Sequence, residues 1–250
     1  MLKNKMVETH APHNIIENLP WDSKLFDYPV SRFFTDNLDI EFIKQEIDSQ
    51  KEIGMKLMYC FVNPGDVKII DYFKANSVLL ADRKITYEKD ISSSDMYDVD
   101  PSIIDIIYQP LDKEILSLAL QSGQFSRFRV DEHFANSEFE KMYKIWIENS
   151  LSGKIAKSVY VFEISGTKAG LITLGIKDDS GDIGLLSVDE KFRGQKIGTK
   201  LIHAACKRTI DLGLSKIKVI TQQNNIPGCR LYEACGFSEK KLELIFHYWL

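Results

Sequence analysis

Residues 185–198 read LLSVDEKFRGQKIG: a near-continuous apolar strand ending at Val188, a charged turn, and then Arg193-Gly194-Gln195-Lys196-Ile197-Gly198 leading into a helix. Gly194 and Gly198 let the backbone take positive φ or approach a ligand closely. The first amides of a new helix have no internal partners and point outward with the positive end of the helix dipole. Such a turn is a ready site for a pyrophosphate. Arg193 either adds a charge-assisted contact there or fixes the turn. The stretch lacks the GK[ST] ending of a Walker loop, and G-x-G-x-x-G does not occur in it. Glycines at a strand-to-helix turn are also ordinary turn chemistry, so the reading needs a second element.

That element lies downstream. After a strand at 216–221, residues 225–237 read NIPGCRLYEACGF. Pro227 fits the first turn of a helix and Gly236 its C′ position, which bounds the helix sharply. Asn225 stands just before it, able to cap it or to meet a ligand amide. Tyr232 follows almost two helical turns later at a similar azimuth, so both residues can face one groove. A final strand spans 237–248.

Upstream, strands at 159–164, 168–176 and 182–188 are joined by SGTK and DDSGD, both of hairpin type. Residues 198–212 form an amphipathic helix with Lys200, His203, Lys207 and Asp211 on its polar face. SEFEKMYKIWIENSL carries a Ser137-x-x-Glu140 capping box and an apolar stripe through Phe139, Met142, Tyr143 and Trp146. PLDKEILSLALQSG reads as a helix with Pro110 in its first turn and Gly123 just past its end. Residues 90–109 are acidic and Ser-rich, the best linker, although IIDIIY can form a strand. Before it, WDSKLFDYPVSRFFT reads as a turn and a strand. A helix at 39–53, a strand at 56–62, a helix at 64–75 and a strand at 78–88 follow. Antiparallel hairpins running into a β-α-β-α-β tail indicate an α/β (α+β) fold with a mixed, mostly antiparallel sheet and flanking helices. The expected domains are a smaller N-terminal α/β domain with its linker, residues 1–109, and a second domain, residues 110–250.

The 250 residues hold 32 Lys+Arg, 36 Asp+Glu and 44% hydrophobic residues, for a net charge of −4. This excludes collagen-like, coiled-coil and disordered classes and argues against a basic nucleic-acid surface. No stretch approaches the roughly 18 apolar residues of a membrane span. MLKNKMVETHAPHN lacks a hydrophobic core and reads as a loose tail rather than a secretory signal. Cys60, Cys206, Cys229 and Cys235 form no CxxC pair, as expected of free thiols in a reducing cytoplasm. No His lies at ligand spacing from another ligand, so no metal is expected.

Together, the two segments resemble the GNAT superfamily of N-acetyltransferases: the first matches its [RQ]-x-x-G-x-[GA] acetyl-CoA motif, the second its N-x6-Y-x3-G-F ending. Lys196 departs from the motif, which has glycine there; lysine keeps the backbone amide but lacks glycine's freedom. The resemblance implies a cleft for acetyl-CoA between strands 182–188 and 216–221. Its pantetheine would pair with the backbone of Leu186, Ser187 and Val188, and the amides of Gln195, Lys196, Ile197, Gly198 and Thr199 would hold its pyrophosphate. Arg193, Gly194 and Asn225 complete the expected cofactor site. A neutral amine would attack the thioester directly, with Tyr232 as the general acid toward the thiolate. Many GNAT enzymes carry a basic Glu on the strand before the turn; here that strand reads IGLLSV, leaving Asp182, Glu163 or a water chain.

LPWDSKLFDYPVSRF and SGQFSRFRVDEHFANSEFEKMYKIWIENSLSG are similar to a narrower group, the TDP-fucosamine acetyltransferases. These bacterial enzymes N-acylate TDP-linked 4-amino-4,6-dideoxy sugars. The likeness implies a nucleotide-sugar acceptor, a role in surface polysaccharide precursor synthesis, and an N-terminal domain on the acceptor side. Arg127 and Arg129, flanking Phe128, suit a nucleotide diphosphate and a thymine face. A homodimer is compatible with this reading. The alternatives are a GNAT enzyme acting on a protein N-terminus, a lysine or a polyamine, and a non-catalytic CoA-binding module.

Overall fold

Whether these segments converge depends on where the strands carrying them sit. The computed structural model describes residues 15–250, so the expectation for MLKNKMVETHAPHN lies outside the described residues. The chain divides into two compact units, Met1–Leu80 with Ile245–Leu250, and Ala81–Leu244.

In the first unit, β1 (Ile16–Asn18), α1 (Pro20–Phe26), β2 (Val30–Phe34), α2 (Ile40–Glu52), β3 (Leu57–Val62) and α3 (Val67–Ala75) follow in order. β1 runs antiparallel to β2, and β2 parallel to β3. The stretch expected as a turn is the helix α1. Pro20 opens it, where a missing N–H costs nothing, and Asp27 closes it at φ 63°. Asp39 and Asp66 cap α2 and α3 by accepting the N–H of Phe42 and of Ile69. The core holds Phe33, Leu57, Tyr59 and Phe73. Phe246 and His247, from the end of the chain, lie 5.1 Å from Phe73 and 5.0 Å from Tyr59 between ring centroids.

The second unit takes up β4 (Leu79–Asp90) from Ala81 onward. It continues with β5 (Ile103–Asp105), α4 (Lys113–Ser122), α5 (Arg127–Val130), α6 (Glu138–Leu151), β6 (Ser158–Ile164), β7 (Thr167–Lys177) and β8 (Ser180–Val188). Then come α7 (Ile197–Asp211), β9 (Lys216–Gln222), α8 (Ile226–Ala234) and β10 (Ser238–Trp249), which belongs to this unit as far as Leu244. Its strand order is β10-β4-β9-β8-β7-β6-β5. β8 and β9 are parallel; β4/β9, β5/β6, β6/β7 and β7/β8 are antiparallel. The sheet is thus mixed and mostly antiparallel. The division between units falls within β4 and not at 109/110, because Lys84–Asp90 pair with Gln222–Lys216.

Alternation sends successive side chains to opposite faces. Ile172, Ile183 and Val219 meet Leu201, Ile202 and Ala205 of α7 on one face. Leu171, Val161 and Leu185 meet Leu118 of α4 and Phe139 and Ile147 of α6 on the other. Each such Leu or Ile, fully buried, contributes about 1.5–3 kcal/mol before its entropy cost. The hairpin turns place Ser165, Gly166, Asp178 and Asp179 all at positive φ, the type that matches strand twist.

Two local expectations differ. The capping box on α6 does not form: Ser137 sits at φ 62°, and its side chain makes no cap hydrogen bond. Instead Glu138 accepts the N–H of Asn136 at 2.6 Å. Pro110 precedes α4 rather than opening it, and Asp112 is the cap, accepting the N–H of Ile115 at 2.8 Å.

Candidate active site

β8 and β9 pair side by side at Gly181–Ile217, Asp182–Lys218 and Ile183–Val219. Beyond that register they part, although β8 runs on to Val188 and β9 to Gln222. A bulge accompanies the separation. Ile172 on β7 faces Leu186 while Leu174 faces Ile183, so β8 carries one extra residue there. The N–H of Leu185 turns back to Thr173 Oγ1 at 2.9 Å, and that of Asp189 to Ala169 O at 2.9 Å. By alternation, the backbone groups of Leu186 and Val188 point away from β7, into the opening.

A cavity of about 430 Å³ occupies this opening. One wall is Leu186, Ser187 and Val188 with the turn behind them: Arg193, Gly194, Lys196, Ile197, Gly198 and Thr199. Lys196, at φ 59°, is the residue before α7 and makes no side-chain cap, so the first amides of this 15-residue helix lack side-chain partners. Gly194, at φ 82°, has open space around it. Gly198 packs closely instead: a Cβ there would come within 2.8 Å of Leu231 on α8. Arg193 fixes the turn, donating from Nε to Val188 O at 3.2 Å. The side chain of Ser187 faces α4, its hydroxyl donating to Leu118 O at 2.7 Å.

Asn225, Pro227, Gly228, Leu231 and Tyr232 form the opposite wall. The Asn225 side chain is occupied at both ends: Oδ1 accepts the Gly228 N–H at 3.1 Å and Nδ2 donates to Thr221 Oγ1 at 3.1 Å. It shapes α8. Tyr232 is 5% exposed, its ring held by Tyr87 and Phe237 with centroids 5.9 Å away on either side. Its hydroxyl makes no hydrogen bond among the described residues, and burial pushes its pKa upward.

Of the expected site residues, Gln195 is exposed in the turn and does not line the cavity, nor do Arg127 and Arg129. Arg127 lies 4.6 Å over the Phe128 ring, and Arg129 pairs with Glu140 at 3.5 Å. Neither candidate base lines the cavity. Asp182 sits at the closed end of the β8/β9 pair, opposite Lys218, with its pKa raised by burial. Glu163 is on β6, opposite Lys168 of β7. Sequence reasoning missed the third side of the cavity: Gln121, Ser122, Gln124 and Phe125, at the end of α4. Gln121 is tied to the turn, donating to Asp189 Oδ2 at 3.1 Å. That helix end carries no motif. No cluster of three or more His, Cys, Asp or Glu suited to a metal occurs among the described residues, and no described helix is long and apolar enough to cross a membrane. The four cysteines are free and buried.

Residues 123–237 match the family model of the acetyltransferase (GNAT) family. Over 142 residues the chain is 27% identical to the spore coat polysaccharide biosynthesis protein SpsD of Bacillus subtilis, covering 56% of this chain and 49% of that one. It is 29% identical to a streptothricin acetyltransferase of Escherichia coli over 109 residues, 44% of this chain and 53% of the other. The matches thus span about half the length of these relatives. Among solved structures, a GCN5-related N-acetyltransferase from Sphaerobacter thermophilus aligns with a TM-score of 0.60 at 11% identity, over 94% of this chain and 76% of that one. A functionally unknown conserved protein from Staphylococcus epidermidis aligns with a TM-score of 0.66 at 11% identity, over 91% and 88%. These structures share the fold. The parted strands, the turn at 193–198 and the family match lead to one conclusion: the chain carries an acetyltransferase domain of the GNAT family.

Proposed function

We propose that this protein transfers an acetyl group from acetyl-CoA to the amine of a nucleotide-linked amino sugar, a TDP-4-amino-4,6-dideoxyhexose. The observation that carries the acyl-donor half is the cavity between β8 and β9, walled by backbone amides on one side and Tyr232 on the other. The residues fit the donor. Open space at Gly194 and the uncapped start of α7 suit a pyrophosphate, and the outward backbone of Leu186 with the N–H of Val188, whose carbonyl is engaged by Arg193, suits an amide-bearing chain adding as a strand.

When bound, acetyl-CoA supplies the acyl group as an activated thioester. The protein orients it: α7 amides hold the phosphates, while the Leu186 and Val188 backbone sets the depth of the thioester. A backbone N–H at this edge offsets the negative charge that develops on the carbonyl oxygen. Tyr232, a phenol that carries its proton at neutral pH, would hydrogen-bond the departing sulfur first and then give it a proton. The sugar assignment is supported by the similarity to SpsD, whose name places that protein in polysaccharide biosynthesis. The N-terminal residues are assigned the acceptor side, as in the resemblance that first pointed to this substrate.

The test is thiol release from acetyl-CoA with three acceptors: a TDP-4-amino-4,6-dideoxyhexose, a lysine peptide and spermidine. Turnover with the sugar nucleotide at a kcat/KM at least tenfold above the others is expected. Turnover confined to the peptide or to spermidine overturns the acceptor assignment and leaves the donor site standing.

A further inference from the structure

Arg193 leaves the edge of β8 short of an acceptor. With Val188 O engaged by Arg193 Nε at 3.2 Å, the edge turns the N–H groups of Leu186 and Val188 into the opening but only the carbonyl of Leu186 beside them. The pantetheine arm of the donor holds a pair of amides and so brings a pair of N–H groups. An N–H enclosed without an acceptor costs more than the hydrogen bond itself contributes. A second acceptor has to come from the rest of the cavity wall.

Few side chains there supply one. Asn225 Oδ1 already accepts the Gly228 N–H at 3.1 Å. Gln124 is exposed, and its side chain makes no hydrogen bond among the described residues, so fixing it in one rotamer costs entropy. Gln121 is held in advance. It lines the cavity, and its amide nitrogen donates to Asp189 Oδ2 at 3.1 Å and to Ser117 Oγ at 3.3 Å. The Lys191 N–H, 3.0 Å from Asp189 Oδ1, and the Gln121 amide hold the Asp189 carboxyl below the usual carboxylate range. A carboxylate can only accept, so Gln121 must turn its NH2 toward it, and both hydrogens of that NH2 are in use. What remains is Oε1, an acceptor that makes no hydrogen bond among the described residues.

The position along the strand suits the arm. Ser187 Oγ donates to Leu118 O at 2.7 Å, and within one helical turn of Leu118 comes Gln121, bonded to Asp189. α4 therefore advances alongside β8 in the same direction, over residues 186–188 and toward the turn at 193–198. Gln121 stands between the stretch assigned to the arm and the turn assigned to the pyrophosphate. The amide of the arm nearer the phosphates would lie there.

We infer that Gln121 Oε1 accepts the N–H of that amide, with Asp189 as the positioning residue that orients it. This rests on the acetyl-CoA reading of the cavity above. The α4 wall then binds the donor directly, through a side chain that lies outside both the glycine turn and the strand edge.

The experiment measures the Kd of acetyl-CoA and of 3′,5′-ADP, which has the nucleotide end without the arm, by calorimetry. Wild type, Gln121→Met and Gln121→Ala are compared, each with its thermal unfolding curve. Methionine keeps the length and loses the acceptor; alanine suits the helix, so one variant covers for the other if either folds badly. Expected for both is a rise of about tenfold in the Kd of acetyl-CoA, with that of 3′,5′-ADP within about twofold of wild type. An acetyl-CoA Kd unchanged in both variants overturns the inference and leaves the donor site standing. So does an equal rise for the two ligands, which would make Gln121 a strut of the turn rather than a ligand to the arm. A wild type that binds neither ligand overturns the acetyl-CoA reading and the inference with it.

Discussion

The two walls of the cavity are built differently. The turn at 193–199 offers main-chain amides behind side chains that are mostly exposed, whereas α8, capped by Asn225, offers Tyr232, a buried side chain packed against Tyr87 and Phe237. A wall that works through its backbone tolerates an unusual residue such as Lys196 as long as the chain holds its path. A wall that works through one hydroxyl tolerates no replacement of it. On the proposed function, the donor nucleotide and the reaction would depend on different properties of the same cleft.

The sharpest way to break this contrast is Tyr232→Phe, which keeps the ring against Tyr87 and Phe237 and removes the hydroxyl. We expect kcat to fall by about 10²-fold or more while the Kd of acetyl-CoA stays within about twofold. Full kcat with CoA bound would remove Tyr232 from the chemistry. Gly198→Val tests the seam between the walls, since a Cβ there meets Leu231 at 2.8 Å. Prising α7 from α8 should cost about 1–3 kcal/mol in denaturant unfolding and weaken acetyl-CoA binding; unchanged binding would mean that the seam does not set the cleft. Asn225→Ala should cost about 1 kcal/mol through the lost cap of α8 and lower kcat through a loosened Tyr232. A rise in the Kd of acetyl-CoA with stability unchanged would instead make Asn225 a ligand. The smallest effect is expected from Lys196→Gly. Glycine at φ 59° relieves left-handed strain worth about 1 kcal/mol, partly offset by its greater freedom when unfolded. Acetyl-CoA affinity should hardly move, and a tenfold loss would show that the lysine side chain, not the amide, was the contact.

The walls also differ in how far they can be read from sequence. The strand, turn and helix at 185–198 and the bounded helix at 226–234 are local arrangements, set by glycine, proline and apolar spacing within a few residues. What brings them together is not local. The separation of β8 from β9 is accompanied by a bulge opposite Thr173, and β4 finds its partner strand far along the chain. For Arg127 and Arg129 the charge and the intervening Phe128 are legible, but Phe139 and Glu140, which lie against Arg129, become its neighbours only in the fold. Ser137 shows the limit at short range, where a spacing that permits a capping box yields none once the backbone turns left-handed.

The placement of β4 between β9 and β10 has a consequence for the order of assembly. Lys84 must wait for Gln222 and Asp90 for Lys216, so a strand made early in synthesis completes its ladder only when the chain is nearly finished. Until then it presents an unpaired edge. Pairings of such long sequence separation are slow to form and leave edges open to the wrong partner. The nascent chain should therefore stay vulnerable until β9 emerges, and truncation before residue 216 should leave β4 prone to aggregate.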